Sequence, residues 1–274
     1  MADFGPHAGD SRSSTGLITI TPNASANTKG SWATQSGSAP GRTDGFYLEP
    51  PFLGENSTIR SLLVDIGFGS GPTTLISNLM VCPPNANHTT LPRCIAQHTY
   101  FPVSVPSSEL LKARAQASMS SHADVYLWAT TMSSGLPCVG SVVDTYGADT
   151  ANSKGTTLTA STTEATFGSW VQMTASSERV KALMIAVGHG QADWSTYGNQ
   201  WLSLQIGVGA AASEVELVRI YDLGSSSGTG IVSQHWLGPY YVDIPSGTRI
   251  SARVAKQYSS SSQRTVDVIL YGIR

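Results

Sequence analysis

Leu202-Ser203-Leu204-Gln205-Ile206-Gly207-Val208-Gly209 alternates aliphatic with polar or small residues over eight positions, the period-2 pattern of a half-buried strand. The same pattern stands 140 residues earlier as Leu62-Leu63-Val64-Asp65-Ile66-Gly67-Phe68-Gly69. Other stretches pair off in the same way. Thr19-Ile20-Thr21 followed by Gly30-Ser31-Trp32 recurs 138 residues on as Thr157-Leu158-Thr159 followed by Gly168-Ser169-Trp170. Val103-Ser104-Val105-Pro106-Ser107 and Ala113-Arg114 recur at 139 as Val242-Asp243-Ile244-Pro245-Ser246 and Ala252-Arg253. Asp124-Val125-Tyr126-Leu127-Trp128 matches Asp267-Val268-Ile269-Leu270-Tyr271 at 143. Four anchors in one order, with offsets drifting as loop insertions would make them drift, read as two copies of one module. The period far exceeds the roughly 20–50 residues of a solenoid repeat, so each copy is expected to be a domain with its own core.

The expected organisation is an N-terminal attachment arm at 1–14, a first module at 15–132, a Gly/Ser/Pro/Asp-rich linker at 133–154 and a second module at 155–274. Ile250, Ala252 and Val254 alternate with Arg249, Ser251 and Arg253, and turn clusters such as Pro245-Ser246-Gly247-Thr248 separate the runs. Glu109–Arg114 has helical propensity, but its counterpart Thr248–Arg253 is strand-like, so the repeat assigns it to a strand. Short strands at regular spacing predict an all-β fold: two tandem antiparallel β-sandwiches, jelly-roll-like, related by internal duplication. An immunoglobulin-like topology is the alternative, disfavoured because no Cys-Trp-Cys arrangement surrounds Trp32 or Trp170. Both tryptophans are expected to be core anchors.

Of the 274 residues only 12% are charged, the formal net charge is −2 and 40% are hydrophobic. Ser and Thr make up roughly a quarter, well above ordinary usage. Near-neutrality without a clustered basic face argues against nucleic-acid or membrane-surface binding. No apolar run reaches the ~20 residues of a membrane span, and the start Met1-Ala2-Asp3-Phe4-Gly5-Pro6-His7 lacks the basic and apolar segments of a secretion signal. A soluble protein with a polar surface is expected.

The tandem layout, the Gly-Ser-Trp and Ile-Gly-x-Gly strands and the stretch Ile244-Pro245-Ser246-Gly247-Thr248-Arg249-Ile250-Ser251-Ala252-Arg253 resemble modules of tailed-phage virion appendages. These are head fibres or spikes and tail fibres, including those of gene transfer agents. The likeness covers both modules, is weaker in the first and does not reach the arm. It implies jelly-roll folds, a symmetric homo-oligomer, contact with other virion proteins (capsid, portal/neck or tail) and, in some members, binding of host capsular polysaccharide. It also implies synthesis in the host cytoplasm and a place on the exterior of the virion.

Cys82, Cys94 and Cys138 form no Cys-x-x-Cys pair and are expected as free thiols, with a Cys82–Cys94 disulfide as the alternative. Cys82, His88, Cys94 and His98 supply zinc-type ligands, but not at the tight spacings of zinc modules and without a counterpart in the second copy, so no metal and no cofactor is expected. No Gly-x-x-x-x-Gly-Lys loop occurs, and nothing in the order of the chain joins Asp193 to Glu178 or Asp65 to Glu55 as a glycosidase pair. His189 and Asp193 read as a Gly-rich turn. An enzyme is not expected.

Binding is the functional expectation. Trp194 and Tyr197, beside Asp193, precede one strand of the second module, and His235, Trp236, Tyr240 and Tyr241 precede its hairpin. Aromatic faces with Asp and His at the rim suit a shallow carbohydrate site if the two clusters share one end of the sandwich. The competing reading has these residues seal the sandwich end or a subunit interface, where Tyr and Trp are equally favoured. In the first module Phe46, Tyr47 and Phe52 lie in a Pro/Gly-rich stretch with no match to Trp194. The first copy is therefore expected to dock to the particle and the second to face outward. A capsid cement protein without ligand and a cellular carbohydrate-binding module are the rival functions.

Overall fold

A computed structural model describes residues 12–36, 43–49, 52–53, 61–81, 99–120, 124–132, 138–188, 201–224, 235–256 and 265–274. They form an all-β structure of antiparallel sheets packed as β-sandwiches. In the first half one sheet runs β1 (Arg12–Ile20), β9 (Val125–Met132), β3 (Gly45–Leu48), β7 (Thr99–Phe101), and the short β4 (Phe52–Leu53) also pairs with β9. The facing sheet runs β2 (Ala33–Thr34), β8 (Leu111–Ala117), β5 (Leu62–Phe68), β6 (Thr73–Val81). In the second half one sheet runs β11 (Ala148–Asp149), β12 (Lys154–Thr159), β19 (Thr265–Ile273), β14 (Val180–Gly188), β17 (His235–Ile244), and β10 (Val143–Tyr146) also pairs with β19. Its partner sheet runs β13 (Val171–Thr174), β18 (Ile250–Lys256), β15 (Trp201–Val208), β16 (Val215–Gly224).

With β4, β10 and β11 set aside, each half has eight principal strands. Both halves place the first, eighth, third and sixth in one sheet and the second, seventh, fourth and fifth in the other, the interleaved order of a jelly roll. Glu109–Arg114 does lead into a strand, β8, as its counterpart predicts. The final strands correspond at 141 residues rather than 143, because Val125 lies opposite Ile20 and Val266 opposite Leu158. The two-residue slip keeps every side chain on its face, since strand periodicity is two.

The recurring motifs meet in space. The Cβ of an alanine at Gly30 would stand 2.5 Å from the Thr21 carbonyl oxygen, and one at Gly168 would fall against that of Thr159, so the backbone's close approach demands glycine at both places. The tryptophan two residues on then crosses the Ile-Gly-x-Gly strand. A Cβ at Gly67 would lie 3.0 Å from the Trp32 ring, and one at Gly207 would lie 2.7 Å from that of Trp170. Above the rings stand the guanidinium groups of Arg114, 4.7 Å from Trp32, and Arg253, 4.2 Å from Trp170. This corrects the core-anchor expectation: both tryptophans are half-buried on the outer face of a sheet. The central strands are accordingly buried on both faces. Leu63 and Gln205 are as inaccessible as Leu62 and Leu204.

Two side-by-side halves share more than a linker. Alternate residues of β14 and β19 point apart. Leu183, Ile185, Val187, Val268 and Leu270 fill the core of the second sandwich. Ala182, Met184, Ala186, Ile269, Tyr271 and Ile273 instead join the core of the first. The linker expectation is also corrected over 138–154, where β10 extends the second sandwich along β19, β11 pairs with β12, and Ser153 is fully buried between Gln116 and Asn27 of the first half. Gly, Ser and Asp serve tight turns and small buried polar contacts as readily as they serve a flexible tether. Of the arm, Arg12–Ser14 belong to β1, and residues 1–11 lie outside the described residues.

Candidate functional site

The second sandwich presents one end with the right topology for a site. Trp201 pairs with Gly224, Val187 with His235, Gly188 with Asp267, and Leu202 with Lys256. The strands flanking 189–200, 225–234 and 257–264 therefore all terminate at the same end. Asp193, Trp194 and Tyr197 belong to the first of these segments and lie outside the described residues, as does the His235 side chain.

The two described aromatic candidates separate. Trp236 is 4% exposed and does not belong to a surface cluster, which corrects its assignment to a sugar-facing loop. It is the second residue of β17, where its indole Nε1 donates to the Met80 carbonyl oxygen at 2.9 Å. Its ring also meets Phe101 edge-on at 6.3 Å. A buried indole needs an acceptor, and the first half supplies it. Tyr240 is half-buried against the second core, and desolvation raises its hydroxyl pKa above the ordinary value, whereas Tyr241 is 60% exposed.

The spacing of single motifs did not point to a second surface, on the outer face of the sheet β13-β18-β15-β16. Arg253 lies over Trp170 at 4.2 Å and over Phe167 at 4.9 Å, and Arg219 lies 5.7 Å from both Phe167 and Tyr221. Trp170, Arg253, Phe167, Arg219 and Tyr221 thus form a ladder of rings and guanidinium planes across the sheet. Gln205 is wholly buried beneath it. Its Oε1 accepts from Arg253 Nε at 2.6 Å and its Nε2 donates to Glu216 Oε2 at 2.6 Å, while Glu216 also pairs with Arg219. The matching place in the first half carries a different network. Asp65, opposite Arg114, accepts from Lys29 Nζ at 2.8 Å, Arg114 Nε at 2.9 Å and the Asn78 backbone N–H at 2.9 Å. The cross-strand register would have exposed the ladder: Gln205 lies opposite both Arg253 and Arg219, with Trp170 above Gly207.

For metal and catalysis, Cys82, His88, Cys94, His98, Glu55, His189 and Asp193 lie outside the described residues. Among the described residues no cluster of three His, Cys, Asp or Glu could hold a metal ion, and no helix is long and apolar enough to cross a membrane. Asp65 is committed to its ion pairs, and Cys138 is an exposed free thiol.

No family model and no curated protein sequence matches this chain. Solved structures similar to it include PNGF-II in a C2 crystal form, at 10% identity and a TM-score of 0.42, covering 96% of this chain and 65% of that one. This chain therefore spans slightly less than two thirds of that protein. The structures of infectious bursal disease virus, Gx and Gt strains, match at 12% and 10% identity with TM-scores of 0.26 and 0.27. They cover 96% and 97% of this chain and 69% and 70% of theirs. Likeness of this degree carries no inference about ligand, activity or assembly.

Proposed function

We propose that this chain is a structural component of a phage-like virion appendage, of the head fibre, spike or tail fibre type, and that its second sandwich binds host surface polysaccharide. In this reading it binds without doing chemistry, sits on the particle exterior, contacts other virion proteins through the arm and first sandwich, and assembles with copies of itself. The observation that carries the binding part is the convergence at one end of the second sandwich. The segment bearing Asp193, Trp194 and Tyr197 and the segment leading into β17 leave from neighbouring strand ends. Aromatic planes and hydrogen-bonding groups from two segments can then address one sugar. The low charge suits recognition by stacking and hydroxyl contacts rather than by ionic steering.

The test is labelled protein applied to encapsulated host cells and to an isogenic strain lacking the polysaccharide. Binding is expected only to the encapsulated strain, with at least a tenfold loss for Trp194→Ala or Tyr197→Ala. Equal binding to both strains, or to neither, overturns the polysaccharide role and leaves decoration of the particle as the function.

A further inference from the structure

The contact between the two halves is a sheet edge sealed by a sheet face. β6 is the terminal strand of its sheet, so one row of its backbone groups has no neighbouring strand among the described residues. Side chains of the second half satisfy that row. Tyr271 Oη accepts from the Met80 N–H at 2.8 Å and donates to the Asn78 carbonyl at 3.1 Å. Trp236 Nε1 donates to the Met80 carbonyl, and Thr145 Oγ1 donates to that of Ser77 at 2.6 Å. Tyr271, Trp236 and Thr145 thus cap an edge that would otherwise be open.

Each ingredient recurs elsewhere on the molecule without its partner. β16 is the terminal strand matching β6. Tyr221 follows Ile220, which faces Leu204, as Met80 follows Leu79, which faces Val64. Among the described residues β16 pairs only with β15, and it displays Val215 at 67% and Tyr221 at 61% exposure. β9 is the strand matching β19, and the face that β19 turns toward β6 corresponds on β9 to Tyr126, Trp128 and Thr130. Trp128, on the strand matching that of Tyr271, is 40% exposed in mid-strand. Among the described residues the molecule therefore carries an unpaired edge at β16, of the kind it seals internally, and on β9 a face with Trp128 exposed and Tyr126 and Thr130 half-buried, on the strand matching one that does the sealing.

We infer that copies of this chain associate head to tail, the β16 edge of one copy seating on the Tyr126–Trp128 face of β9 in the next, in continuation of the contact within each chain. Such a contact is heterologous, so it builds a ring if its rotation closes and a filament if not. This deepens the self-assembly part of the proposed function and is independent of the polysaccharide part, because neither surface includes Asp193, Trp194 or Tyr197. A negative cell-binding assay does not bear on it.

The test is light-scattering mass of the full chain at micromolar concentration. Wild type is expected at a multiple of 28.8 kDa. Trp128→Arg and Tyr221→Arg, both exposed and outward, are each expected to give single chains with an unchanged circular dichroism spectrum. Trp128→Thr, a strand-compatible change, serves as the second variant at that face and is expected to behave alike. Mixing Trp128→Arg with Tyr221→Arg is expected to give a particle of two chains, because each variant keeps the surface that the other lacks. Single-chain wild type, an assembly that survives Trp128→Arg and Trp128→Thr, or a mixture that stays single-chain would each overturn the inference.

Discussion

Asp65→Gln probes the charged cluster beneath Trp32, and the second half already contains the compensating change. Asp65 has 5% side-chain exposure and neutralises Lys29, whose side chain is 20% exposed. Burial pulls the Lys29 pKa below the usual lysine value even with Asp65 against it, so this ammonium is held in a poorly solvating place. Removing one partner of a buried pair costs ~3–5 kcal/mol, because the other charge is left uncompensated. The lower end, ~3 kcal/mol, applies here, since Lys29 retains the Asn78 side-chain oxygen at 2.9 Å and the Leu63 carbonyl at 3.3 Å. At the matching places the second half has Gln205 and Phe167. Adding Lys29→Phe should therefore bring the double variant back to within ~1 kcal/mol of wild type, recovering ~2 kcal/mol of the loss in Asp65→Gln alone. Urea unfolding of wild type, both single variants and the double variant, followed by circular dichroism, closes the cycle. A single Asp65→Gln variant within ~1 kcal/mol of wild type would refute the buried-charge account. So would a double variant no more stable than that single one.

Two further outcomes are expected. Trp236→Ala should cost ~3–5 kcal/mol by opening a cavity between the halves and orphaning the Met80 carbonyl; a loss below ~1 kcal/mol in denaturant unfolding would contradict its burial. Asp267 donates nothing and accepts from Thr157 Oγ1 at 2.6 Å, while its Oδ2 meets no donor among the described residues, and burial raises its pKa. The folded state then keeps a proton that the unfolded chain releases, so this residue's contribution to stability falls as pH rises from about 4 through the raised value. Asp267→Asn should raise the melting temperature at pH 7 and leave it little changed near pH 3. A variant less stable than wild type at pH 7 would reverse the sign.

The recurrence of motifs along the chain carries more of the fold than any single motif does. The residues that recur are those whose contacts recur: Gly30 and Gly168 under a carbonyl, Trp32 and Trp170 over Gly67 and Gly207, Arg114 and Arg253 over the rings. Local pattern alone misplaced both tryptophans, because an aromatic residue near a patterned strand is compatible with either face of the sheet. Trp236 was misplaced for a related reason. Sequence order puts it beside a hairpin, and only the packing of the first half against β14, β17 and β19 turns that position inward.

Alternation and the repeated motifs determined by themselves the all-β class, the antiparallel strands and the correspondence of β5 with β15 and β8 with β18, because strand periodicity and close backbone contacts act through neighbouring residues. The tertiary structure alone decided that 138–154 is built into the fold, that β6 is sealed by Tyr271 and Trp236, and that the ladder from Trp170 to Tyr221 assembles across the sheet. Those features join residues up to 193 positions apart, and their hydrogen-bond geometry exists only once both sandwiches have formed.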